Sequence, residues 1–320
     1  MTRMPDDLKF EKPSTWDLVA LVAQLRNARS SLGDWRRDEA ERRQRPSRDA
    51  LVSIVKGLRA ALFPSHFGGS DFTETSVDYF VGNMLDVTLR ALEEQVRRGL
   101  RYSRLSKSAG KTVDDAAVSD EAHELVRVFA TSLPNIRSAL EQDIRAAYEG
   151  DPAAQSRSEV IYCYPGITAI IHHRLAHEFY RLGLTLLARV VAETAHSSTG
   201  IDIHPGARIG RSFFIDHGTG VVIGETAIIG DRVRIYQGVT LGARNLPKDA
   251  QGVLVKGRER HPIIEDDVVI YAGATILGRV TIGQGSVIGG NVWLTRSLPP
   301  NSHVTQAQAR SEDFEGGAGI

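Results

Sequence analysis

Three short stretches of this chain gather ionisable residues that could act on a small molecule. They are DIHPGARIG (Asp202 to Gly210), IDHGTGVVIGE (Ile215 to Glu225) and RERHP (Arg258 to Pro262). A carboxylate beside an imidazole orients and polarises the ring, and a histidine held in that way is a general base poised near neutral pH. Asp202 and His217 are of the right types, although two exposed polar residues at a chain reversal would carry the same letters. Other chemistries draw on nearby residues. Cys163 could accept an acyl group in a ping-pong route, but it lies in the apolar run IYCYPGI, away from the Asp-His motif. A zinc ion could be held by His204, His217 and His261 if the three imidazoles converge. His172, His173 and His177 share one helical pattern without the glutamate of a zincin motif, which favours structural or interfacial work.

The elements that must position these residues are legible as a repeat. From residue 203 onward, aliphatic residues recur every six positions in three runs, Ile203 to Val221, Ile223 to Leu241 and Ile264 to Leu294. All fourteen positions are Ile, Val or Leu, glycine often follows them, and a small or β-branched residue often sits four places on. This is the hexapeptide pattern of a parallel β-helix, in which each hexad supplies one short strand with its aliphatic side chain pointing inward. Three hexads complete a coil, so fourteen predict nearly five coils, stacked at roughly 4.8 Å. The 15-residue separation of Asp202 and His217 is three short of one such coil, which predicts neighbouring coils near one corner. Two interruptions stand out: a two-residue slip between Val221 and Ile223, and a 19-residue break from Ala243 to His261. The break is too long for a corner and is expected to protrude as a functional loop.

Before residue 200 the periodicity is helical. Val77, Val81, Leu85, Leu89, Leu92, Val96 and Leu100 step by three or four residues through Val77–Tyr102. Similar patterns occupy Asp17–Leu32, Asp49–Phe63, Asp120–Leu133, Asn135–Tyr148, Gly166–Leu182 and Leu184–His196. RRDEAERRQR (Arg36 to Arg45) reads as a solvated helix face, and SKSAGKTVDD (Ser106 to Asp115) as a loose connection. The expected organisation is a helical region over 1–115 of undefined role, a second helical domain over 116–199, a β-helix over 200–300 with a loop at 243–261, and a tail over 301–320. Thirty-nine basic and 39 acidic residues cancel, which argues against a dedicated nucleic-acid binder or a polybasic membrane protein. A single cysteine, no apolar core in MTRMPDDLKFEKPSTWD and no long apolar run make a cytoplasmic location the expectation.

DPA at Asp151 to Ala153, the helix containing GITAIIHHRLAHEFY, the run DIHPGARIGRSFFIDHGTGVVIGETAIIG and RHP together resemble the serine O-acetyltransferases, hexapeptide-repeat enzymes that begin cysteine biosynthesis. The resemblance spans about Asp151 to Pro300, with 14 residues from Asp202 to Asp216 and 51 from Asp151 to Asp202. It implies an α+β chain, an α-helical N-terminal domain followed by a left-handed parallel β-helix, assembled as trimers or dimers of trimers. It also implies acetyl transfer from acetyl-CoA, a co-substrate, to L-serine, with no bound cofactor and no metal. By the same resemblance His217 is the base and Asp202 its orienting carboxylate. Asp151 and Asp216 hold the serine amino group, Arg260 and His261 its carboxylate, and Gly242, Ala243, Ala272 and Gly273 line the acetyl-CoA cleft. The 243–261 loop carries Arg244, Lys248, Lys256, Arg258 and Arg260 against Asp249 and Glu259, a local +3 suited to CoA phosphates. It is longer than the short glycine-rich link usual in the family. Another acceptor, such as homoserine or a sugar, and a non-catalytic scaffold for a partner enzyme stay open. The terminal Gly-Ala-Gly-Ile320 resembles the tails with which serine acetyltransferases enter O-acetylserine sulfhydrylase, making Ile320 a candidate partner-binding residue.

Overall fold

The computed structural model describes residues 16–31, 45–69, 72–107, 113–244 and 248–306. Most of the RRDEAERRQR run, the middle of SKSAGKTVDD and the tail ending in Ile320 lie outside the described residues. The chain divides into two units between Arg45 and Pro46. The first contains α1 (Leu18–Ser31), whose start is capped by the Asp17 carboxylate accepting from the Ala20 N–H at 2.9 Å.

The second unit opens with helices α2 (Arg48–Leu62), α3 (Pro64–Phe67), α4 (Glu74–Lys107), α5 (Asp115–Gly150), α6 (Arg157–Cys163), α7 (Pro165–Arg181) and α8 (Thr185–Thr199). The two helices expected at Asp120–Leu133 and Asn135–Tyr148 are one continuous helix, α5, with Pro134 inside it. An interior proline costs about 3 kcal/mol. Here the stripe Val126, Phe129, Leu133, Ile136, Leu140 and Ile144 stays in phase and buried across it, and each such side chain contributes roughly 1.5–3 kcal/mol. Burial therefore outweighs the missing N–H. Helix α6 has a Ser156-x-x-Glu159 start, in which the serine hydroxyl accepts from the Glu159 N–H at 3.1 Å.

From Asp202 the chain winds into a left-handed parallel β-helix with three faces. The inward residues of the first face are Ile203, Ile223, Leu241, Ile276 and Leu294. The second carries Ile209, Ile229, Ile264 and Ile282, and the third Ile215, Ile235, Ile270, Ile288 and Val304. Five strands on two faces and four on the other agree with the expected number of coils. The register corrects one detail. Ile203 pairs with Ile223, so the first coil takes 20 residues, whereas Ile223 pairs with Leu241 after 18. The two extra residues fall in the corner His217–Val221, so Val221 is buried beneath that corner and is not an inward strand position. Asp202 begins the strand directly beneath the one into which the His217–Val221 corner leads, so the two residues are one coil level apart near one corner. The coil containing the long loop takes 35 residues, from Leu241 to Ile276, which is 17 more than the regular 18.

Helices α5 and α7 lock onto the first coil. Gly166 lets the start of α7 meet the third face, because a Cβ there would lie 2.4 Å from the Ile215 carbonyl oxygen. Arg174 of α7 makes a bidentate pair with the fully buried Asp143 of α5, at 2.6 and 2.8 Å. Asp143 also accepts from the Phe213 N–H at 3.0 Å, and Arg174 donates to the Gly210 carbonyl at 2.8 Å.

Candidate functional site

The corner between the third and first faces carries Asp216 and His217. His217 has a left-handed backbone, φ 56°, and its side chain is 71% exposed. Its Nε2 lies 3.7 Å from Asp216 Oδ1. Asp216 itself is buried, and its Oδ2 accepts from Arg234 Nη2 at 2.7 Å. Asp151 caps the C-terminus of α5 beside this corner. Its Oδ1 accepts from the Ala153 N–H at 2.8 Å and its Oδ2 from the Tyr164 hydroxyl at 2.5 Å. The Tyr164 bond, then the Ala153 bond, hold the Asp151 carboxyl below its ordinary range. Burial, then the same Asp151 contact, pushes the Tyr164 phenol up. Asp202 begins the first strand, with its N–H donating to the Val221 carbonyl at 2.9 Å. Among the described residues its carboxylate forms no hydrogen bond with His217.

The next corner, between the first and second faces, carries Arg260 and His261. Thr226 Oγ1 accepts from the N–H groups of Arg260 and His261 at 2.9 and 3.1 Å. Its own proton is thereby left for His261 Nδ1, 2.9 Å away, which the Thr226 N–H also approaches at 3.0 Å. With two donors on Nδ1, the ring proton sits on Nε2. Burial, then the Arg260 charge, lowers the His261 pKa to about 4, so the ring is neutral at pH 7 and Nε2 is a donor. Gly224 is required beneath it, because a Cβ there would lie 2.1 Å from Nε2. Arg260 donates to Glu225 Oε2 at 2.7 Å and Tyr180 to Glu225 Oε1 at 2.9 Å. Burial acts to raise the Glu225 carboxyl, but these hydrogen bonds hold it below its ordinary range. Beside this corner an open groove of about 360 Å³ is lined by Arg244, Arg258, Arg260 and Arg279 together with Glu259, which pairs with Arg279 at 3.0 Å.

Within one chain the first face separates the two corners. Asp151, Asp216 and His217 share one, and Arg260 and His261 share the other. The four residues expected at the acetyl-CoA cleft divide likewise: Gly242 and Ala243 follow the first face into the arginine-lined groove, and Ala272 and Gly273 lie at the His217 side. His217 also stands apart from His204 and His261, so the three imidazoles do not converge within one chain.

Residues 261–296 match the family model described as bacterial transferase hexapeptide (six repeats). The whole chain aligns with the whole of a plasmid-borne serine acetyltransferase of Synechococcus elongatus, at 55% identity over 320 residues. The chain belongs to the serine acetyltransferases. The serine acetyltransferase of Mycobacterium tuberculosis is 48% identical over 184 residues, 56% of this chain and 76% of that one. Among solved structures, serine acetyltransferase isoform 3 of Entamoeba histolytica, in complex with cysteine, is similar with a TM-score of 0.68 and 36% identity over 82% of this chain and 84% of that one.

Of the remaining residues that the sequence singles out in this serine acetyltransferase, Cys163 is exposed at the end of α6. His172 is buried with Nδ1 2.7 Å from the Thr168 carbonyl, and His177 Nδ1 lies 2.8 Å from the Pro205 carbonyl, both structural contacts. Sequence reasoning misses Arg234, Tyr164, Glu225, Tyr180 and Thr226, which hold the ionisable groups in place. Arg234 stands directly above Phe214, 20 residues earlier, and reaches Asp216 with its side chain, so the regular 18-residue spacing does not reveal the contact.

Proposed function

We propose that this acyltransferase moves the acetyl group of acetyl-CoA to the L-serine hydroxyl, giving O-acetyl-L-serine and CoA, with the site divided between adjacent copies. The observation that carries the proposal is the two-corner arrangement. One corner offers two carboxylates and an exposed imidazole, and the other a guanidinium and a neutral imidazole N–H donor. Those are the complementary groups for the ammonium, hydroxyl and carboxylate of an amino acid. A homotrimer, or a dimer of trimers, sets the first corner of one copy against the second corner of the next.

In that site Asp151 and Asp216 hold the serine ammonium, while Arg260 and His261 Nε2–H hold the carboxylate. His217, at the solvent-facing tip of its corner, takes the hydroxyl proton as the oxygen attacks the thioester carbonyl, then returns a proton to the CoA thiolate. Asp202 orients the ring and steadies the imidazolium. The thioester is itself an activated acyl donor, so the chain needs only to orient, accept a proton and stabilise developing charge. Acetyl-CoA runs past Gly242 and Ala243 of one copy and Ala272 and Gly273 of the next, with its phosphates toward the arginine-lined groove. The tail ending in Ile320 binds O-acetylserine sulfhydrylase, and the enzyme works in the cytoplasm.

Thiol release from acetyl-CoA, measured with L-serine, L-homoserine and a sugar acceptor, tests the reading. Turnover is expected with L-serine far above the other two. Equal or greater turnover with another acceptor, or none with any, would overturn it.

A further inference from the structure

We propose that Arg234, together with Tyr164, is a positioning residue that fixes the distance between the Asp151 and Asp216 carboxylates so that one ammonium group fits between them. The inference rests on the proposed reaction, and the observations that carry it concern residues which that reaction leaves without a role.

Arg234 lies on the outer surface of the third face, in register with Phe214 one coil below. Its guanidinium donates in two directions. Nη2 donates to Asp216 Oδ2 at 2.7 Å, and Nη1 donates to the Gly150 carbonyl at 2.8 Å, one residue before Asp151. A single rigid plane therefore joins the β-helix corner to the end of α5, the two elements that bring the carboxylates. A cation at a helix C-terminus is also electrostatically favoured there. The plane is held by aromatic neighbours, with the guanidinium carbon 4.8 Å from the Phe214 ring centre and 4.7 Å from that of Tyr236. Tyr236 in turn stacks on Tyr271, with ring centres 5.1 Å apart and 12° between the planes. Arg234 Nε is buried with no hydrogen-bond partner among the described residues, so the side chain forgoes one bond while making the other two.

Tyr164 acts on the other carboxylate. Its hydroxyl donates to Asp151 Oδ2 at 2.5 Å while the Ala153 N–H takes Oδ1, so neither oxygen of Asp151 is free to rotate. Two carboxylates and one guanidinium leave a net charge of −1, the complement of one ammonium. Without Arg234 the two carboxylates would repel and α5 would lose its tie to the corner. The amino group would then meet a site of wrong spacing.

The test compares Arg234→Gln, Arg234→Lys and Tyr164→Phe with the parent enzyme in steady-state kinetics on both substrates. Loss of positioning by about an ångström is worth up to roughly 100-fold. Arg234→Gln is expected to raise KM for L-serine about 10- to 100-fold while KM for acetyl-CoA stays within about twofold. Arg234→Lys, which keeps the charge but only one of the two contacts, should fall between that variant and the parent. Tyr164→Phe should raise KM for serine in the same selective way, and it reads the proposal independently if Arg234→Gln does not fold. A general structural role would raise both KM values together or lower kcat alone, and either result, or an unchanged KM for serine in all three variants, would overturn the proposal. A parent enzyme that releases no CoA with L-serine would instead overturn the proposed reaction.

Discussion

Lowering the pH from 7 to 5 should remove about 2 kcal/mol of stability from this protein through His261 alone. The folded-state pKa is about 4, against an ordinary value of 6.5. Between those values the unfolded chain binds a proton that the folded chain refuses, so the stability of the neutral, buried ring is present above pH 6.5 and is lost as pH falls toward 4. The ratio of the two binding polynomials gives about 0.2 kcal/mol lost at pH 7, about 2 at pH 5 and about 3 at pH 4. The structural cause is specific: Thr226 N–H and Oγ1–H occupy Nδ1, and a second ring proton would displace them beside Arg260. His261→Asn keeps an acceptor for Thr226 but cannot titrate. Unfolding free energy from chemical denaturation, followed from pH 7.5 to 4.5, should therefore fall more steeply in the parent, which loses about 2 kcal/mol relative to the variant by pH 5. His172, His173 and His204 also have lowered values, but they are common to both proteins and cancel in the difference. Parallel curves would refute the tautomer assignment and with it the neutral Nε2–H donor.

Three further outcomes are expected. Asp143→Ala leaves Arg174 without its counter-ion and the Phe213 N–H unpaired, and should destabilise the fold by about 3–5 kcal/mol in chemical denaturation; a loss below 1 kcal/mol would contradict the anchoring role. Arg260→Ala should raise KM for serine well above its effect on acetyl-CoA, by the roughly 1.5–3 kcal/mol of a charge-assisted contact, and equal effects on both would refute the carboxylate assignment. Deleting Ile320 should abolish calorimetric binding to O-acetylserine sulfhydrylase with acetyl transfer nearly unchanged, whereas equal binding with and without that residue would exclude the tail as the contact.

The β-helix was legible because its constraint repeats. Every coil must turn an aliphatic side chain inward at the same three places, so Ile203, Ile209 and Ile215 announce a pattern that runs to Leu294. Val221 misled because a corner lengthened by two residues still buries an aliphatic side chain, and periodicity alone does not separate an inward strand position from a covered corner. The helical patterns on either side of Pro134 belong to one helix, because two short windows do not show that the buried stripe stays in phase across the proline. The ionisable residues were legible as motifs, but their distribution over two corners was not, since it depends on which side of the first face each one falls. Arg234 and Tyr164 were hidden because an outward polar residue on a β-helix or a tyrosine in an apolar run has no periodic signature. Their meaning appears only when Gly150, Asp151 and Asp216 come together in space.

The central claim is that His217 is the base in acetyl transfer to serine, and the turnover of purified His217→Ala tests it most directly. With L-serine and acetyl-CoA saturating, kcat should fall by about 10²- to 10⁴-fold while circular dichroism and the oligomeric mass match the parent. Near-parental turnover by a folded His217→Ala protein would contradict the account.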